Sequence, residues 1–168
     1  MSNRAKQGTR LGVVSDTHGH AGHTLDAVRM LDTLEVDLVV HCGDVGSVQI
    51  PALLGRWTTH FVLGNVDRDA QSLGAAIAEA GAVCHGQFGQ IECEGRTIAF
   101  LHGHDERRLR ETIECGEWDL VCHGHTHVKR LARHGRTIIL NPGALYRANP
   151  HSIAIVDLPE LAVTHVTL

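Results

Sequence analysis

The 168-residue chain has no Cys-x-x-Cys pair, no apolar run of membrane-spanning length and no excess of basic residues. Its five cysteines, at 42, 84, 93, 115 and 122, leave one without a mate, which argues against a disulfide framework or a zinc ribbon. Cys42 and Cys122 fall inside apolar runs, where a thiol serves as a small core residue. A reduced, cytoplasmic setting is therefore expected. Fifteen Lys and Arg against nineteen Asp and Glu give a net charge of −4 with His neutral. No basic stripe is available to grip nucleic acid, so stable nucleic-acid binding is not expected. The opening MSNRAKQGTR lacks the apolar core of a signal peptide, and no membrane association is expected. Linkers, repeats and low-complexity segments are missing too, so the length fits one domain with a core of its own. Residues 1–8 are expected to form a disordered tail and residues 9–168 the domain.

What the chain does have in excess is histidine, fourteen in all. The stretch Leu11 to His20, LGVVSDTHGH, organises the rest. An apolar run ending in small and polar residues reads as a buried parallel strand that opens into a loop. Ligands of open α/β sheets bind just outside such carboxyl ends. Asp16 and His18, two residues apart, can there aim an oxygen and an imidazole at one point, a pairing that suits a divalent transition metal.

The pattern then repeats along an alternation of strands and helices. Helices are expected over 21–34, 48–54, 70–80 and 106–115, with Pro51 tolerable only in a first turn. Strands at 36–41 and 59–63 open onto Asp44 and onto Gly64-Asn65-Val66-Asp67. A hairpin of 90–93 with 97–101 opens onto His102-Gly103-His104, and 120–122 opens onto His123-Gly124-His125-Thr126-His127. Two further hairpins, 129–133 with 137–140 and 153–157 with 162–166, close the domain. Two packed sheets flanked by helices follow, with the loops collected along one edge.

Each motif has a simpler reading when taken alone. Asp16 and Asp44 could cap helices, Asn65 after Gly64 is a good turn pair, and His125 and His127 could be polar loop residues. Taken together, seven nitrogen and oxygen donors at five strand ends point to metal, and seven donors suit two ions better than one. The remaining histidines read differently: His41 and His123 as packed strand-end residues, His23 as a helix residue near the site, and His60, His85, His134, His151 and His165 as surface or loop residues. The run Glu106 to Glu111 reads as a solvated helix face.

The ordered motifs D-x-H, G-D, G-N-x-D, H-G-H and G-H-T-H, together with Asn141-Pro142-Gly143, resemble the calcineurin-like metallophosphoesterases. The likeness extends over 11–149 and is nearest the small bacterial and archaeal phosphodiesterase branch, whose structural cousin is the retromer subunit Vps29. It implies a four-layer α/β/β/α sandwich of two mixed sheets. It also implies that Asp16, His18, Asp44 and His127 hold one metal, and that Asp44, Asn65, His102 and His125 hold a second, with Asp44 shared. The cofactors implied are two divalent ions, Mn²⁺ favoured, with Fe, Ni, Co or Zn as alternatives. The reaction implied is hydrolysis of a phosphoester by in-line attack of a hydroxide held between them.

One position departs from the family. Val66 stands where many of these phosphatases carry a His that serves the leaving group. His104, His20 and bulk water are the substitutes. Asp44, Asn65 and His104 are thus the residues expected to act in catalysis, with Asp67 orienting Asn65 or a neighbouring His from behind. Asn141-Pro142-Gly143 is expected to place a backbone group near His127. Loss of the leaving-group His tilts the expectation toward a small-molecule phosphodiester; the alternatives are a phosphomonoesterase of the same fold or a Vps29-like interaction scaffold. The rim loops Gly46 to Pro51, Arg68 to Leu73 and Tyr146 to His151 are expected to set the substrate, and a homodimer is the default assembly.

Overall fold

The computed structural model describes residues 8–168, and residues 1–7 of the expected tail lie outside the described residues. The first half alternates β1 (Thr9–Val14), α1 (Ala21–Thr33), β2 (Leu38–His41), α2 (Ile50–Leu53), β3 (Thr58–Phe61), α3 (Ala70–Glu79) and β4 (Val83–Cys84). The second half runs β5 (Phe88–Cys93), β6 (Arg96–Leu101), α4 (Glu106–Glu114), β7 (Leu120–Cys122), β8 (Arg130–His134) and β9 (Thr137–Asn141). β10 (Ser152–Leu158) and β11 (Ala162–Thr167) end the chain. One sheet has the order β11-β10-β1-β2-β3-β4, the other β5-β6-β7-β9-β8. Both are mixed: β1 to β4 run parallel with β10 antiparallel to β1, and β6, β7 and β9 run parallel between antiparallel β5 and β8.

The two-residue period of the strands assigns side chains to layers. Leu11, Val13, Val40, Ala154 and Val156 of the first sheet meet Ile98, Phe100, Leu120, Cys122 and Leu140 of the second in a core between the sheets. Their neighbours Val14, Val39, Phe61, Ile153 and Ile155 turn outward and pack against α1, α2 and α3. Gly12 shares that outward face, where a side chain would come 2.6 Å from Leu31 of α1. On the far side Ala99, Leu101 and Val121 meet Leu109 and Ile113 of α4. Three apolar interfaces separate four layers, the α/β/β/α sandwich expected. Cys42 and Cys122 are buried in the core between the sheets, and burial raises both thiol pKa values, so they act as apolar filler.

Several boundaries shift. β2 starts at Leu38 because Val36 closes the turn after α1, its N–H bonded to the Leu31 carbonyl. α2 is only four residues long: Pro51 has to sit in its first turn, so Val48 stays outside and 52% exposed. The two-residue strand β4, too short to show a period, was not expected. His60 and His85 are half-buried and hydrogen-bonded to each other at 3.0 Å rather than free on the surface. His165 also has a partner, donating to the Asn141 carbonyl at 2.7 Å.

Candidate metal centre

Asp16 and His18 follow β1, Asp44 follows β2 and Asn65 follows β3; from the other sheet, His102 follows β6, and His125 and His127 follow β7. Backbone hydrogen bonds lash these loops together. Asp16 N–H donates to the Gly43 carbonyl at 3.0 Å, His18 N–H to the Asp44 carbonyl at 3.0 Å, and Gly124 N–H to the His102 carbonyl at 2.9 Å. Neither Asp16 nor Asp44 caps a helix: α1 is capped by His20, and α2 has no side-chain cap. The simpler reading of both carboxylates therefore fails.

The backbone is bent to make the donors converge. Asp16, His18, Asp44, His125 and His127 have φ of 56°, 44°, 54°, 70° and 59°. Left-handed backbone costs an L-residue roughly 1–2 kcal/mol, and it gathers where function over-determines the chain. Among the described residues nine non-glycines have positive φ; five are these donors, and Arg147 beside them is a sixth.

Side-chain geometry gives two overlapping groups, Asp16-His18-His127 and Asp16-Asp44-His102, each compact enough to hold one ion. Asp16 Oδ1 lies 3.2 Å from His127 Nε2, 3.7 Å from His18 Nε2 and 4.0 Å from His102 Nε2. Asp44 Oδ2 lies between His102 Nε2 at 3.2 Å and His18 Nε2 at 3.4 Å. Asn65 and His125 line the same open cavity, of about 510 Å³, with His18, Asp44 and His127. His104 is exposed, with its ring centroid 5.5 Å from that of His102 and 6.2 Å from that of His125, and is not among the residues lining that cavity.

The donor set fits a divalent cation. Asp16 Oδ1, His18 Nε2 and His102 Nε2 are buried with no hydrogen-bond partner, a state that costs about 1–3 kcal/mol per atom unless something else satisfies it. The opposite atoms of Asp16, Asp44 and His102 are engaged. Asp16 Oδ2 accepts from Ser15 Oγ at 2.6 Å and from His125 N–H at 3.1 Å, and Asp44 Oδ1 accepts from Val66 N–H at 3.1 Å. His102 Nδ1–H donates to the Cys42 carbonyl at 2.9 Å, which leaves the Nε2 lone pair facing the carboxylates.

Electrostatics agree. Burial works against ionising Asp16 and Asp44, yet the surrounding imidazoles and donors outweigh it and hold both carboxyls below their ordinary range. Burial also pushes His102 down, and the two carboxylates more than reverse it. The centre favours positive charge where a metal would sit.

Two supports differ from expectation. Asp67 does not reach toward Asn65 or a histidine; its carboxylate accepts from the N–H groups of Val45, Gly46 and Gly64 at 3.1, 2.8 and 2.8 Å, and so pins the β2 loop to the β3 loop. Asp67→Ala strips three backbone donors of their acceptor and is expected to cost roughly 2–4 kcal/mol in urea unfolding; a loss under about 1 kcal/mol would mean water replaces the carboxylate freely. In Asn141-Pro142-Gly143 it is a side chain that matters: Asn141 Nδ2 donates to the Gly124 carbonyl at 3.0 Å and to Thr126 Oγ1 at 3.1 Å, bracing the His125–His127 loop. The backbone group near His127 is the Arg147 carbonyl, 3.4 Å from Nδ1. Tyr146 and Arg147 also line the cavity, contributed by a sixth strand end after β9.

His41 joins the first two loops from beneath. Gly43 N–H donates to its Nδ1 at 3.2 Å, so Nε2–H donates to Thr17 Oγ1 at 3.0 Å, whose hydroxyl passes to the Val45 carbonyl at 2.9 Å. Complete burial lowers its pKa to about 4. The unfolded chain takes up a proton that the fold refuses, so this stability is fully present above about pH 6.5 and is lost as pH falls toward 4. Burial lowers His60, His85 and His123 in the same sense, while His102 opposes them. Metal-free protein is expected to be on the order of 2 kcal/mol less stable at pH 5 than at pH 7. Urea midpoints at the two values check the sign; a higher midpoint at pH 5 would contradict it.

Residues 10–160 match the calcineurin-like phosphoesterase superfamily domain. The chain is 24% identical over 164 residues to phosphodiesterase MJ0936 of Methanocaldococcus jannaschii, spanning 95% of this chain and 99% of that protein. The solved structure of an archaeal phosphodiesterase superposes with a TM-score of 0.88 at 24% identity, over 95% of this chain and 100% of that one. The Vps29 of Entamoeba histolytica complexed with Zn²⁺ superposes with a TM-score of 0.62 at 18% identity, over 95% and 98% of the two chains. A near full-length family match thus coincides with four layers and a gathered set of donor loops, and the chain belongs to the calcineurin-like phosphoesterase superfamily.

Proposed function

We propose that this protein is a metal-dependent phosphodiesterase that hydrolyses a small-molecule phosphodiester in the cytoplasm, using two divalent ions held where the loops of its two sheets meet. The observation that carries the proposal is that three of the four buried, unpartnered side-chain atoms among the described residues, Asp16 Oδ1, His18 Nε2 and His102 Nε2, belong to this donor set, the fourth being His123 Nε2. Asp44 Oδ2, between His18 and His102, would serve as the shared ligand. Asp16, His18 and His127 would complete one site; Asn65, His102 and His125 the other. Two divalent ions in such a site supply activated water near neutral pH and neutralise charge on the phosphoryl oxygens. Mn²⁺ is the favoured ion, and mixed N/O ligands accept Zn²⁺ as well; a Vps29 of this fold has been solved with Zn²⁺.

The chain's own residues set the limits of the chemistry. Val66, 39% exposed at the cavity wall, has no proton to give a departing alkoxide. His104 is solvent-exposed outside that wall, and partial desolvation together with the nearby His102 and His125 lowers its pKa, which weakens it as an acid-base partner held in its charged form. His20 does not line the cavity either, and its Nδ1 accepts from His23 N–H at 3.2 Å, so protonation of the leaving oxygen falls to solvent, which favours diesters with good leaving groups over unactivated monoesters. The name of the archaeal relative, a phosphodiesterase, supports the same choice. Among the described residues no helix is long and apolar enough to cross a membrane.

Chelator-stripped protein supplied with Mn²⁺ is expected to cleave bis-p-nitrophenyl phosphate faster than p-nitrophenyl phosphate, and Asp44→Ala and His125→Ala to abolish both. A folded protein that no divalent metal activates would contradict the proposal and leave an interaction scaffold in its place.

A further inference from the structure

Beyond Val66 lies a second cavity of about 180 Å³. Its walls are two of the rim loops, 46–48 after β2 and 66–73 around the start of α3. Val66 lines both this cavity and the metal cavity, so the two adjoin at that residue, with the donor atoms on one side. We infer that this second cavity receives an aromatic, uncharged ester arm of the phosphodiester. The inference rests on the phosphodiesterase reading above and adds the class of substrate.

Position comes first. Val66 N–H is bonded to Asp44 Oδ1 at 3.1 Å, so the residue shared by the two cavities is tied to a metal-donor carboxylate. Asp67 pins Val45, Gly46 and Gly64 to one another, so the floor is rigid and set relative to the centre.

Size and chemistry come next. The volume slightly exceeds the ~150 Å³ that holds a benzene ring in an engineered cavity. Val48, 52% exposed, Val66, 39% exposed, and Leu73 supply apolar walls, and these exposed valines otherwise have no work in a water-facing cleft. Two carboxylates also line it. Asp67 is consumed by its three backbone donors, and Asp69 by Ser72 N–H at 3.0 Å, where it caps α3. Their negative charge disfavours a second phosphate or carboxylate on the arm, against the single cation Arg68. A neutral flat ring satisfies all of this.

The test uses binding, not turnover, and full-length protein loaded with Mn²⁺. Calorimetry with diphenyl phosphate and dimethyl phosphate is expected to show roughly ten-fold or more tighter binding of the diphenyl ester, from burial of one ring. Ser72→Trp, which fills the cavity, and Val48→Asp, which charges its wall, are both expected to bring that ratio close to one. Both variants should bind Mn²⁺ and inorganic phosphate as the unsubstituted protein does. Equal affinity for the two diesters, or a preference that survives both variants, would overturn the inference. Failure of Mn²⁺ and phosphate to bind at all would instead overturn the phosphodiesterase reading, and this inference with it.

Discussion

Asp16→Ala is expected to lower diester hydrolysis by about a thousand-fold or more, because it removes the carboxylate that His18 and His127 face and leaves one metal position with no oxygen ligand of its own. Asp16 Oδ1 is within 4.0 Å of three imidazole nitrogens, and Oδ2 accepts from Ser15 and from the backbone of His125. No neighbour can replace either oxygen, since Asp44 Oδ1 is already held by Val66 N–H. The fold itself should survive at a cost of roughly 1–3 kcal/mol, the loss of the acceptor of Ser15 Oγ and His125 N–H. Thermal melts separate loss of site from loss of fold. Mn²⁺ should raise the midpoint of the unsubstituted protein by mass action and raise that of Asp16→Ala markedly less. A variant that keeps more than a tenth of the activity would remove Asp16 from the centre.

Gly64→Ala is expected to weaken Mn²⁺ binding by at least about 100-fold, the upper range seen when groups supporting a ligand are lost. A methyl there would run into Asp44 Oδ1 and come 2.5 Å from the Asp44 backbone nitrogen. The loop cannot retreat, for Gly64 N–H is held by Asp67. Asp44 must therefore move, and with it the atom between His18 and His102. Gly74→Ala is the control: nothing lies within 4 Å of the added carbon, and the residue is inside α3, so a gain of up to about 1 kcal/mol is expected. Calorimetric Mn²⁺ titration and urea unfolding of the two variants read both effects.

The donors were legible in the sequence because each is a distinctive side chain just after an apolar run, and such runs reveal their strands. β7 begins and ends where its Leu-Val-Cys run does, and α4 where Asp105 caps it. What the chain did not disclose acts through the backbone. Asp67 looks like a partner for a side chain, yet its three bonds go to main-chain amides contributed by two loops. Gly64 reads as a turn residue, whereas its lack of a side chain is what lets Asp44 come close. The left-handed backbone at Asp16, His18 and Asp44 is imposed by hydrogen bonds between loops, and neither residue type announces it. Asn141, 17 positions from Gly124 and in no helical or strand period with it, reaches the His125–His127 loop only because β9 lies beside β7. The cavity beyond Val66 is walled by two separate loops, 46–48 and 66–73, and no single stretch encodes it.

The most direct measurement is the rate of bis-p-nitrophenyl phosphate hydrolysis as chelator-stripped protein is titrated with Mn²⁺, with bound metal counted at each point. Two ions shared through Asp44 predict that activity rises to its maximum at two Mn²⁺ per chain. Full activity at one Mn²⁺ per chain, or none at any loading, would contradict a dinuclear phosphodiesterase.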